Sequence, residues 1–90
     1  MKMHSIALTF AAALLSLSAT QAQASATCKE YPKTEWRPQA ELEAKLTQEG
    51  WKVRRVEESC TCLQVYGTSP EGKRVEAFFD PKTFEQVEED

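Results

Sequence analysis

Beyond residue 26 this sequence contains no histidine; the only one, His4, sits close to the start. The side chain most used as a general base and metal ligand near neutral pH is therefore missing from most of the chain. Ser59, Thr61, Ser69 and Thr83 consequently have no histidine to activate them as nucleophiles. Cysteine is scarce too, limited to Cys28, Cys60 and Cys62, and no Cys-x-x-Cys redox motif occurs. A structural zinc ion needs four ligands, so three thiols fall short unless a carboxylate or a second chain joins them. Soft Cu(I) is satisfied by two or three thiolates. A small thiol-based redox or soft-metal-binding protein using Cys60 and Cys62 thus stands as the alternative to a non-enzymatic module.

An excess of positive charge is also lacking. Lys2 is the one basic residue before position 27, so 10 of the 11 Lys and Arg face all 14 Asp and Glu beyond it, a formal charge of −4. That balance gives no electrostatic footprint for nucleic acid or an anionic membrane surface. The acidic pairs Glu57-Glu58 and Glu88-Glu89-Asp90 lack the Asp/Asn-Gly spacing of a calcium loop and read as solvated loop and tail. No catalytic residue, metal site or cofactor follows from these constellations.

Long apolar runs are confined to the beginning. Lys2 precedes an apolar stretch from Ile6 to Leu17, and small residues follow at Ala22-Gln23-Ala24 and Ala24-Ser25-Ala26. This three-part layout predicts a secretory signal peptide over residues 1–26, cleaved after Ala24 or Ala26. The run is too short, and too interrupted by Thr9, Ser16 and Ser18, for a membrane span of about 20 apolar residues. The expected product is exported, periplasmic or else extracellular, with no membrane span in the mature chain. Its 66 or 64 residues form one small domain, whose marginal core gains from a covalent staple. Export permits such a staple to persist as a disulfide.

What remains is organised as one helix followed by strands. Residues 27–37 form a polar lead-in, and the domain proper is expected over 38–90. In "RPQAELEAKLTQEG" Pro38 suits the first helical position, Leu42 and Leu46 make a narrow apolar stripe, and Gly50 suits a C-terminal cap. Trp51–Glu57 reads as a strand with Trp51 and Val53 on one face and Val56 on the other. Cys62–Gly67 sets Leu63 and Val65 against Cys62, Gln64 and Tyr66, and Lys73–Asp80 sets Val75, Ala77 and Phe79 against Glu76 and Phe78. "TSPEGK" and "DPKT" supply turns, and "FEQV" a short edge strand. The prediction is an α+β domain, one N-terminal helix packed on a three- to four-stranded antiparallel sheet. Tyr66, Phe78, Gln64 and Glu76 then share the sheet face away from the helix, partly exposed and available to a partner. A peptide strand added to an open sheet edge is a second mode of binding.

The order of these features resembles the PepSY domain family, in particular its small exported members. The resemblance rests on Gly50-Trp51-Lys52-Val53, Leu63-Gln64-Val65-Tyr66, Gly72, and Val75-Glu76-Ala77-Phe78-Phe79-Asp80-Pro81, and runs from about Trp36 to Val87. Two departures stand out. Phe84 occupies the place of a glycine after Asp-Pro-x-Thr, and Leu63-Gln64 replaces a Tyr-Glu pair. The resemblance implies a non-enzymatic protein-interaction or peptidase-regulating (inhibitory) module whose partner is a peptidase or another cell-envelope protein; the chain itself is expected to be a monomer or a weak dimer.

The resemblance also bears on the cysteines. Residues two apart on a strand stand nearly ~7 Å apart along it, so Cys60 and Cys62 are poorly placed to bond each other, and Cys28 can reach either. Cys62 opens the alternating strand, where exported relatives tend to carry a cysteine. That favours a Cys28–Cys62 disulfide, with Cys60 left either as a free thiol or for pairing between chains.

Overall fold

The computed structural model describes residues 24–90; the predicted leader falls, up to residue 23, outside the described residues. A short 3-10 turn at Lys33–Glu35 leads to helix α1 (Gln39–Gln48). Four strands follow, β1 (Lys52–Ser59), β2 (Cys62–Thr68), β3 (Arg74–Phe79) and β4 (Gln86–Val87). They form one antiparallel sheet in the order β1-β2-β3-β4, so each strand pairs with its sequence neighbour. The α+β expectation of a helix on an antiparallel sheet holds, with four strands.

Helix α1 begins one residue later than the sequence suggested. Pro38 has an extended ψ of 140° and serves as the N-cap residue, so the first helical residue is Gln39. The C-terminus closes as expected from Gly50. With φ at 100°, Gly50 donates its N–H to the Thr47 carbonyl, and the Trp51 N–H reaches the Leu46 carbonyl at 3.0 Å. The first bond satisfies a carbonyl at the helix end, the second joins the Glu49 N–H on the Leu46 carbonyl, and together they turn the chain directly into β1.

Leu42 and Leu46 press onto Leu63, Val65, Ala77 and Phe79, and Trp36, Trp51, Val53 and Val56 close the margins of this core. The placement of Val56 corrects the simple alternation read from the sequence. The pairing of β1 with β2 shifts by one residue between Val53 and Arg55, which makes Arg54 an extra residue in the strand. Such a bulge resets the facing of everything after it, so Val53 and Val56, three apart, both reach the helix side. Opposite the bulge lies Gly67, where an added Cβ would run into the Lys52 carbonyl oxygen and stand 3.1 Å from the Val53 Cα.

The Asp80–Glu85 turn keeps its shape without the glycine that the resemblance anticipates. Phe84 itself adopts the left-handed conformation, with φ at 66°. A non-glycine residue is disfavoured there, but the Phe84 ring is buried in the helix-side core, and the Arg37 guanidinium lies 3.9 Å from its centroid. The Asp80 carboxylate accepts the N–H groups of Lys82 and Thr83, and the Phe84 N–H bonds to the Asp80 carbonyl. Ring burial and these bonds together hold a conformation that the local sequence does not favour.

Candidate functional site

The sheet face opposite the helix divides into two halves. In one, Cys62 lies under the N-terminal segment, and Phe78, paired with Val87 of β4, packs with Ala26, Cys28 and Cys62 into a second small core. Residues 24–28 therefore form a strap across this half. Cys28 and Cys62 are joined by a disulfide with their Cα atoms 5.3 Å apart. Beside it the Cys28 N–H donates to the Thr61 hydroxyl at 2.9 Å. At the far end of the strap the Asp90 N–H donates to the Ser25 carbonyl, and the Thr27 hydroxyl to the Asp90 carboxylate.

The strap corrects the expectation of an open face. Phe78 is 1% exposed and Gln64 5%, so neither presents a side chain to a partner. Gln64 donates instead to Glu76 Oε1 at 2.9 Å, an internal bond across β2 and β3. Of the four residues expected on a binding face, Tyr66 and Glu76 keep access to solvent, and they sit directly opposite each other. The polar lead-in shows no periodicity that would announce the covering of Phe78, because its apolar residues are too few; Cys28 was its one available signal, and Ala26 fell within the predicted leader.

Tyr66 anchors the exposed half. The Arg55 guanidinium stacks 4.0 Å from its ring centroid, and Arg55 Nε pairs with Glu57 Oε2 at 3.1 Å. Arg54, Arg55 and Arg74 surround this tyrosine together with Glu76. The bulge explains the concentration of arginine, since it sets Arg54 and Arg55 side by side at one place on the strand.

From Cys28 the lead-in wraps around the sheet end to the helix side. Its path is fixed by a Tyr31 hydroxyl bond to Asp80 Oδ2 at 2.9 Å and an Arg37 N–H bond to the Pro81 carbonyl at 3.0 Å. Burial by itself would raise the Asp80 pKa. The N–H groups of Thr83 and Lys82 and the hydroxyls of Tyr31 and Thr83 outweigh it and hold the carboxyl below its ordinary range. The bond to Asp80 raises the Tyr31 phenol, because ionising it would set an anion beside a carboxylate.

Cys60 is exposed and unbonded, at the first position of the two-residue loop between β1 and β2, with φ at 55°. The thiol alternative built on Cys60 and Cys62 loses one of its two sulfurs to Cys28. Among the described residues no three His, Cys, Asp or Glu side chains gather as a metal site would require. No helix of the described residues is long and apolar enough to cross a membrane.

No curated protein and no solved structure matches the chain significantly. The family model for the peptidase propeptide and YPEB domain matches residues 7–90, nearly the whole chain. With one helix on a four-stranded antiparallel sheet, in the order the resemblance implied, the chain belongs to this PepSY domain family.

Proposed function

We propose that this protein is an exported, non-enzymatic module that binds and restrains a peptidase or another protein of the cell envelope. The observation that carries the reading is the family match across residues 7–90, since PepSY domains are in general non-catalytic propeptide or regulatory modules. The exposed patch around Tyr66, with three arginines and Glu76, supports recognition by contact, because aromatic and arginine side chains dominate the energetics of protein interfaces.

Export to the periplasm, with release outside the cell as the other destination, is supported by the basic, apolar and small-residue layout of residues 1–26. Of the two cleavage positions, removal after Ala24 fits better. It leaves Ala26 buried against Phe78 and keeps the Ser25 carbonyl that Asp90 bonds.

The test is affinity capture from envelope extracts with the Cys60→Ser protein, which removes adventitious thiol exchange. Each captured peptidase is then assayed on a casein substrate with and without added protein. The expected outcome is a recovered peptidase whose rate falls in a dose-dependent way. Turnover of a substrate by the purified protein itself, or no captured protein above background, overturns the reading.

A further inference from the structure

The two edges of the sheet are treated differently. The outer edge of β1 is bent by the Arg54 bulge and carries Lys52, Arg55, Glu57 and Glu58, features that discourage pairing with another strand. The β3 edge is only half covered. β4 pairs with Phe78 and Phe79 and ends at Val87, while β3 continues back to Arg74. Backbone groups alternate sides along an antiparallel strand. The Asp80 N–H bonds to Glu85 on the β4 side, so those of Phe78, Glu76 and Arg74 face that side as well. On that side, beyond Val87, no strand of the described residues pairs with Glu76 or Arg74, whose other side is paired with β2.

A groove runs along this free edge. Its floor includes Trp51, Val75 and Ala77, and its rim carries Glu71, Glu88 and Glu89 with Lys73 as the one basic residue. The two tail glutamates are held near it because Asp90 is bonded to Ser25 and Thr27. An incoming strand would direct alternate side chains to opposite faces. One set would meet the apolar floor and the other would meet Glu76.

We propose that the open edge of β3 binds an extended peptide with alternating apolar and basic side chains, adding it to the sheet in line with β4. The inference rests on the binding-module reading above and specifies its mode. Charge selects the occupant. A second copy pairing β3 to β3 would gain Arg74–Glu76 pairs across the strands, but it would crowd the Glu71, Glu88 and Glu89 rims of both copies together, where like charges repel. Lysine or arginine at alternate positions complements Glu71, Glu76, Glu88 and Glu89.

The probe is an acetylated, amidated octapeptide alternating valine and lysine, titrated into isotope-labelled full-length protein and followed by its amide spectrum. Shifts should map to Arg74–Ala77 and Gln86–Glu89. N-methylation of all valines and of all lysines should then behave unequally, because only one set of peptide N–H groups faces β3. One series should lose affinity by about tenfold or more, and the other should keep it. Glu76→Pro, which removes an outward-facing donor, should weaken the unmodified peptide similarly while the other sheet amides keep their dispersion.

Equal behaviour of the two methylated series, shifts centred on Tyr66 and Arg55, concentration-dependent dimerisation through β3, or no binding overturns the proposal. If these fail while the peptidase is still inhibited in the casein assay, the edge is discarded and the regulatory reading stands. If the peptide binds and no peptidase is restrained, the reverse holds.

Discussion

The Tyr31 hydroxyl donates to the Asp80 carboxylate at 2.9 Å across 49 residues of sequence, tying the lead-in to the turn that follows β3. The same carboxylate accepts the N–H groups of Lys82 and Thr83, so its ionised form is the one the fold requires. The folded Asp80 pKa lies below its reference of 3.8. Its contribution is therefore complete above the unfolded value and is lost as pH falls through the folded one. Urea unfolding at a series of acidic pH values should show stability declining below about pH 4. Asp80→Asn should flatten that decline and lower stability at neutral pH. An unchanged acid slope in the variant would contradict the assignment.

Reduction of Cys28–Cys62 opens a loop spanning a sequence separation of 34. On the chain-entropy model, loss of this closure costs about 3–4 kcal/mol, a large share of the stability of so small a domain. Cys28→Ser with Cys62→Ser should lower the unfolding free energy by that order. Hydrogen exchange should also accelerate at Asp90 and Cys28, whose amides bond to Ser25 and Thr61. Thiol titration of the native oxidised protein should find the single thiol of Cys60.

At Gly67 the obstacle is backbone, since an added methyl meets the Lys52 carbonyl. Gly67→Ala should destabilise by about 1–3 kcal/mol, the range for overpacking a well-filled site. It should also loosen the Arg54 bulge, seen as shifted amide signals at Lys52–Arg55. An alanine variant as stable as the parent would mean that β1 and β2 can separate there without cost.

Phe84 is a case of two opposed effects. Replacing it with glycine removes left-handed strain of about 1–2 kcal/mol, but it also deletes a buried ring whose loss typically costs about 3–5 kcal/mol. Burial should win, leaving Phe84→Gly less stable than the parent by about 1–4 kcal/mol in chemical denaturation.

The helix and the strands were legible because each carries its own periodic signal. Leu42 and Leu46 fall one turn apart, Leu63 and Val65 alternate, and Gly50 marks the helix end. The facing of Val56 was not legible, because nothing in "KVRRVE" announces that one arginine is surplus; the close approach at Gly67 decides it. The proposed binding face was half legible. Tyr66 and Glu76 follow from strand alternation, whereas the burial of Phe78 depends on residues 24–28 folding back from 50 or more positions away. Pairings at that distance leave no local pattern.

The hydrogen bond from Asp90 to Ser25 has a topological consequence. It brings the two extremities of the described chain together beside β4, so the domain is close to a closed ring of polypeptide. A short glycine-serine bridge could join these extremities while the chain is opened at the exposed Glu71-Gly72 turn. A circular permutant of this kind would keep the helix, every strand and the disulfide, but β3 would begin the chain and β2 would end it. The order in which the segments emerge during synthesis would change, and the packing around Cys62 and Phe78 would not.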